Sequence, residues 1–343
     1  SFKGIFCPAG RVFFYALILY FKENMLIGVV KENREKTEKR VILLPQFVQC
    51  LVKDGHIVRV EKDAGRKLGL TNKQYKKAGA VISSKKDAYA SDIILRIRIP
   101  TLDELALMRK NSTLMCMVHK NTHQKMVAEF KKRGINVVEL NEIRNSDGKR
   151  LVEAFEISGS EGIKTGFKLF EKLYKKPENV VIMGYGNLAI PAIQTACKLG
   201  ASVTVLGRKQ TSKKNIEKCL KNAEIIINAT LRKPKEIGKY LITKEQLMLL
   251  NKKSLILDLS ADPISCIETC KPTSLDKPYY SVNIDEKKIY YMCIYSLPGL
   301  APLKCSRRYS KQIIPFVRLI ASLGLKKAIQ KSFPIKRALI SIK

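Results

Sequence analysis

The stretch Gly184-Tyr185-Gly186-Asn187-Leu188-Ala189 could hold the phosphates of a dinucleotide. The first glycine permits a tight turn and the second lets the backbone approach a pyrophosphate. Ala189 is small enough for the following helix to sit close. Tyr185, Asn187 and Leu188 fill the same loop. About twenty residues after the glycines, a carboxylate would be expected if a ribose 2′-hydroxyl had to be held. Gly207, Arg208 and Lys209 stand there instead. Two cations suit a 2′-phosphate, so NADPH is expected ahead of NADH.

A second group of residues could move protons and bind anions. The chain has 3 histidines. His56 opens a strand after a glycine turn and reads as structural, and His123 starts a helix and reads as solvated. His119 ends an apolar run where a cleft would lie, and an imidazole suits proton transfer near neutral pH. In SDIILRIRIP, Arg96 and Arg98 alternate with Leu95, Ile97 and Ile99, which on a strand puts both on one face. Two unpaired buried guanidinium groups would be costly, so an acidic partner or an anionic ligand is implied. Arg40 ends a charged loop before an apolar segment, and its planar fork suits a carboxylate.

These residues need elements to hold them. Val180, Val181 and Ile182 form a β-branched run that fits a buried parallel strand leading into the glycine loop. A helix follows and stops at Gly200, and a second strand covers 202–206. Strand and helix alternate on both sides of this unit. Strands are expected at 26–30, 56–61, 80–82, 92–99, 113–119, 135–140, 224–228, 254–259 and 289–294. Helices are expected at 45–53, 72–78, 102–109, 122–133, 151–173, 214–222, 243–250 and 306–330. The expected fold is α/β, with two doubly wound, Rossmann-like domains and an interdomain cleft at the carboxyl ends of the strands. Residues 25–150 plus 303–343 would form the substrate domain and 151–302 the dinucleotide-binding domain.

Composition narrows the partners. The formal charge is +34, but its lysines are spread over nearly every segment of the 343 residues. Zinc-finger spacing, an RNA-recognition signature and a homeodomain helix are all missing, so a nucleic-acid partner is not expected. The apolar decamer at 12–21 is shorter than the ~20 residues of a membrane span. Residues 1–24 read as an extension upstream of a native start at Met25. Nine scattered cysteines point to a reduced, cytoplasmic setting. Cys266 and Cys270 lack the companions of a zinc site, so no metal is expected.

Taken together, these residues resemble the alanine dehydrogenase and transhydrogenase alpha-subunit superfamily. The likeness runs through Lys31-Glu32, Glu38-Lys39-Arg40-Val41 with Pro45, Gly55-His56, Ala64-Gly65 and Ala78-Gly79-Ala80. It continues in the strand from Asp92 to Pro100 and in Asp258-Leu259-Ser260-Ala261-Asp262. Pro272-Thr273-Ser274 and Leu297-Pro298-Gly299 with Pro302 follow in order. The resemblance puts Arg98 at the catalytic lysine position, His119 at the catalytic histidine 21 residues on, and Asp262 at the substrate-side aspartate. Because an arginine stays charged, proton transfer would fall to His119. Ile264-Ser265 and Ser296 also depart from the alanine dehydrogenase pattern. Within the superfamily the chain looks most like the N(5)-(carboxyethyl)ornithine synthases, on Gly184 to Asn187, Arg208-Lys209-x-Thr211 and Ile225 to Asn228. Asp147-Gly148-Lys149-Arg150 is similar to saccharopine dehydrogenases. The resemblance implies NADPH-dependent condensation of pyruvate with ornithine or lysine. It puts Arg40 on the carboxylate with Arg96 as a nearby alternative to Arg98, and it implies a homo-oligomer. Alanine dehydrogenase chemistry with ammonia, a saccharopine dehydrogenase-like reaction and a non-catalytic nucleotide or nucleic-acid binder are the alternatives.

Overall fold

The computed structural model describes residues 24–32, 37–230, 236, 238–260 and 265–341. The expected extension therefore lies, apart from Asn24, outside the described residues, as do Asp262 and Ile264.

The first half alternates strand and helix. It runs β1 (Leu26–Val29), α1 (Pro45–Lys53), β2 (Ile57–Glu61), α2 (Asn72–Lys77), β3 (Val81–Ser83), α3 (Lys85–Tyr89), β4 (Ile93–Leu95), α4 (Leu102–Ala106), β5 (Thr113–Cys116), α5 (Gln124–Arg133) and β6 (Asn136–Glu139). The long helix α6 (Phe155–Leu173) leads into β7 (Asn179–Met183), α7 (Ala189–Lys198), β8 (Ser202–Leu206), α8 (Lys213–Leu220) and β9 (Ile225–Asn228). Then come β10 (Ser254–Asp258), β11 (Tyr280–Ile284) and β12 (Lys287–Met292). The chain closes with α9 (Pro302–Lys331), α10 (Phe333–Ala338) and β13 (Leu339–Ser341).

These strands form two sheets. The seven-stranded one has the order β13-β6-β5-β4-β1-β2-β3 and is parallel except for β13, which runs antiparallel to β6. The six-stranded one has the order β11-β12-β10-β9-β7-β8 and is parallel except for the β11–β12 pair. Strand order reverses at β1/β4 in the first sheet and at β7/β9 in the second. In open α/β sheets such reversals leave a crevice outside the strand ends. This is the doubly wound α/β pair that the alternating pattern implies.

Apolar strands form because both faces are covered. On one face of the first sheet, Ile27, Val29, Val58 and Leu95 meet Ile313, Val317 and Ile320 of α9. On the other, Val30, Ile94, Leu114 and Val137 meet Tyr89, Leu105 and Phe130. Helix α6 touches both halves, placing Ile157 in the first core and Ile163, Phe167 and Phe170 in the second. It lies flush on the second sheet because Gly162 and Gly166 carry no Cβ, which would fall 2.6 and 2.3 Å from Leu259 and Leu257. The chain thus passes between the sheets twice, once into α6 and once from β12 to α9.

Several elements differ from expectation. β4 stops at Leu95 and β5 at Cys116, well short of residues 99 and 119. At the end of β4 a buried carboxylate steps in: Glu32 accepts from the N–H groups of both Ile97 and Arg98, while Arg96 N and Ile97 O still pair with Met115 O and Met117 N. Residues 243–250 hold only a short 3-10 turn, Gln246–Leu249. β11 was not anticipated; its exposed and covered residues alternate on a polar-rich run at the sheet edge.

Candidate functional site

A cavity of about 1320 Å³ lies at the strand ends between the two sheets and is lined from both. The first half contributes Arg40, Arg98 and His119, and the second contributes Gly184 to Leu188 and Arg208. It exceeds the ~300–1,000 Å³ of a usual small-ligand pocket, which leaves room for a dinucleotide and a second molecule.

Arg40 is 3% exposed. Its Nε donates to Glu38 Oε1 at 2.7 Å and its Nη2 donates to Ser296 Oγ at 2.7 Å. Two serines of α9 fix the backbone behind it: Ser306 Oγ accepts from Val41 N and Ser310 Oγ from Leu44 N, each at 3.0 Å. Burial alone would raise the Glu38 carboxyl. The hydrogen bonds and charge of Arg40 more than offset this and hold it below the usual carboxylate range. One edge of the Arg40 fork is thereby taken by Glu38, while Nη1 lies 4.0 Å from Cys305 Sγ.

Arg96 and Arg98 part company where β4 ends. Arg98 lines the cavity, half-buried, with its guanidinium 5.1 Å over the Tyr295 ring. Arg96 is 0% exposed and is not among the lining residues. Its Nη1 donates to Glu104 Oε2 at 2.7 Å and to Tyr89 Oη, and Nη2 stands 3.8 Å from Glu32 Oε2. The acidic partner implied by sequence therefore exists, and it takes Arg96 away from the substrate-binding position expected of it. The charge of Arg96 pulls the Glu104 carboxyl down to about 2 against the opposing effect of burial.

His119 has φ 53, in the left-handed region. Its carbonyl accepts from Thr122 N at 2.9 Å, His123 N at 3.2 Å and Thr122 Oγ1 at 2.9 Å. The next N–H, of Lys120, donates to Glu139 Oε1 at 3.1 Å. Non-glycine residues in this conformation cost on the order of 1–3 kcal/mol and cluster at functional sites. His123, expected to be solvated, is half-buried, pairs with Thr122 and lines the same cavity. His56 is buried at the start of β2, as a structural residue would be.

The glycine loop can accept a dinucleotide. Gly184 has φ +112, and a Cβ there would lie 2.6 Å from the Ala229 carbonyl oxygen, so only glycine fits. Gly186 faces open space. Tyr185 is 73% exposed. Leu188, at the N-cap of the ten-residue α7, makes no side-chain capping bond, so the helix N-terminus keeps N–H groups for an anion. Arg208, after β8, lines the cavity, whereas Lys209 is exposed and lies outside the lining. Glu236 also lines it, a carboxylate that reading residues 207–209 did not reveal.

Other lining residues escaped the sequence reading. Arg150, which the sequence offered as the end of the Asp147–Arg150 run and not as a site residue, lines the cavity with its guanidinium 5.7 Å from the Phe155 ring. Asn141 follows β6, and Tyr309 lies one turn past Cys305 on α9. Asn141 stands just past a strand end, Tyr309 on the buried face of α9, and Arg150 in the connection before α6. Single-residue patterns do not reveal such positions.

A pair of doubly wound α/β sheets with a glycine-rich loop on one wall of the cavity and cationic side chains on the other is an arrangement that suits a nucleotide-dependent oxidoreductase. Family models for the alanine dehydrogenase/PNT N-terminal and C-terminal domains match residues 28–158 and 207–343. The chain belongs to this family and is an NAD(P)-dependent oxidoreductase acting on amino-group donors. It is 25% identical to alanine dehydrogenase 1 of Staphylococcus aureus over 341 residues, covering 89% of this chain and 90% of that one. Among solved structures it is similar to an L-alanine dehydrogenase, with a TM-score of 0.83 and 25% identity over 92% of this chain and 94% of the other. A transhydrogenase from Sinorhizobium meliloti shares the fold, with a TM-score of 0.77 and 18% identity over 92% of this chain and 98% of the other. Among the described residues, no helix is long and apolar enough to cross a membrane.

Proposed function

We propose that the chain catalyses reductive condensation of a small 2-oxo acid, of the pyruvate class, with an amine, and that the amine is an amino-acid side chain such as that of ornithine or lysine. The observation that carries the reading is the meeting of Arg40, Arg98 and His119 with the glycine loop around one cavity. Arg40 faces the carboxylate with Nη1, which also donates to Cys305 Sγ, because Glu38 and Ser296 hold Nε and Nη2. Arg98 neutralises the oxo acid and polarises its carbonyl oxygen. Asp262 is assigned to the amine or nicotinamide side on family resemblance.

The amine nitrogen forms a bond to the keto carbon, and the carbonyl π pair moves to oxygen, which takes a proton from His119. The nitrogen gives up a proton, and the new hydroxyl leaves as water with a proton returned through His119. A bound reduced nicotinamide supplies the hydride for the resulting imine carbon. In total, amine, oxo acid, reduced cofactor and one proton give a secondary amine, oxidised cofactor and water. Arg208 favours NADPH; Glu236 on the same cavity is the carboxylate that would favour NADH instead. Alanine dehydrogenase activity, with ammonia as the amine, is the second reading, supported by the names of the full-length relatives. The division into 25–150 plus 303–343 and 151–302, self-association and a cytoplasmic setting belong to the same proposal.

One assay decides. Oxidation of NADPH and of NADH is followed with pyruvate plus ornithine, lysine or ammonia, each alone. Turnover with a side-chain amine supports the first reading, turnover with ammonia alone establishes the second, and none with any amine refutes both.

A further inference from the structure

The cavity's first wall is rich in cations, which suits an oxo acid but not an incoming amine. An amine needs a hydrogen-bond acceptor within reach of His119. Two buried oxygens just past the end of β6, the strand that pairs with β5, have no hydrogen-bond partner among the described residues: Asn141 Oδ1 and Glu139 Oε2. Asn141 is 5% exposed and lines the cavity. It sits in the turn that follows β6, next to β5 and the segment carrying His119.

The orientation of the Asn141 amide is set by its neighbour. Glu139 Oε1 accepts from Asn141 Nδ2 at 3.0 Å and from Lys120 N at 3.1 Å. A flipped amide would press one acceptor oxygen against another, so the nitrogen faces Glu139 and the oxygen faces away. Because the same Glu139 oxygen holds the N–H that follows His119, Asn141 and the imidazole-bearing residue are fixed relative to each other. A buried acceptor left unpaired carries its full desolvation penalty. A ligand N–H that reaches it recovers that cost.

We propose that Asn141, backed by Glu139, is the amine-recognising corner of the site: Asn141 Oδ1 accepts one N–H of a primary amine or ammonia and holds its lone pair toward the keto carbon beside His119. The inference rests on the proposed condensation and names the residue that selects its nucleophile.

The test is Asn141→Ala alongside Asn141→Leu, with initial rates measured against amine at saturating pyruvate and against pyruvate at saturating amine. The expected result is an amine KM raised about tenfold or more, from the cost of the lost acceptor. KM for pyruvate and the fluorescence-titrated Kd for the reduced cofactor should stay within about twofold of wild type. A purely structural role would move all three together, and that outcome overturns the inference, as does an unchanged amine KM. Calorimetric titration of cofactor-loaded protein with ornithine, lysine and ammonium gives a readout that needs no turnover. Weaker amine binding by the variants supports the assignment; equal binding, or none by wild type, overturns it. Failure of wild-type turnover with an intact calorimetric difference refutes the proposed reaction and leaves the corner standing.

Discussion

Arg96 and Arg98 are two residues apart, and their removal should fail in opposite ways. Arg96→Met deletes a buried charge that holds Glu104 at 2.7 Å and Glu32 at 3.8 Å. Removing one partner of a buried pair costs about 3–5 kcal/mol, since the other charge is left uncompensated. Two features soften the loss. Burial already raises the Glu32 carboxyl, so it can take a proton. Glu104 keeps Lys85 at 3.1 Å and the Thr101 N–H. The low end, about 3 kcal/mol, is therefore expected. At roughly 2 °C per kcal/mol for a chain of this size, that is a fall of about 6 °C in the unfolding midpoint. Arg98→Met alters a half-buried side chain at the cavity and should shift the midpoint by no more than about 2 °C, or ~1 kcal/mol. Its kcat/KM should fall by about a hundredfold or more, the scale of losing one charged stabiliser in a preorganised site. Calorimetry and steady-state rates on both variants make the comparison. If Arg96→Met kept its midpoint while losing activity, or Arg98→Met unfolded early while turning over normally, the assignment of the two arginines would be wrong.

Replacing His119 with Ala should abolish turnover by about a hundredfold or more while leaving cofactor affinity near wild type, read by fluorescence titration. Gly184→Ala must place a Cβ 2.6 Å from the Ala229 carbonyl at φ +112, so cofactor affinity should fall at least tenfold and the midpoint should drop by several degrees. Arg208→Asp should reverse or erase any preference for NADPH; an unchanged ratio of kcat/KM for the two cofactors would remove Arg208 from phosphate recognition. Glu104 is depressed to about 2 in the folded chain from 4.5, so its contribution to stability is complete above about pH 4.5 and drains away as pH falls toward 2. Glu104→Gln should flatten the dependence of the midpoint on pH in that window, and an unaltered slope would contradict the ion pair.

Much of the scaffold is readable from residue order because both sheets are buried on two faces. Runs such as Val180 to Ile182 and Ile225 to Ile227 can do little but form central strands. The glycine loop is equally legible, since its constraint is steric and local. What escapes is whatever depends on distant partners. Nothing within SDIILRIRIP reveals that Glu32, more than sixty positions earlier, captures the Ile97 and Arg98 amides just past the end of the strand. The alternation rule put both arginines on one face, and it failed once that strand stopped. The same holds for Asn141 and Arg150, which look like turn residues until tertiary packing carries them to the cavity. Arg40 was found by type, but its Glu38 and Ser296 partners, 2 and 256 positions away, decide which edge of it remains available.

The two covalent passages between the sheets, into α6 and out of β12, bear on how the cleft can open. A door hung on two pins swings about the line joining them and resists sliding or corkscrew motion. Any opening of this cleft would have to turn about the line joining the two passages, with Gly184 and Arg98 on opposite sides of it.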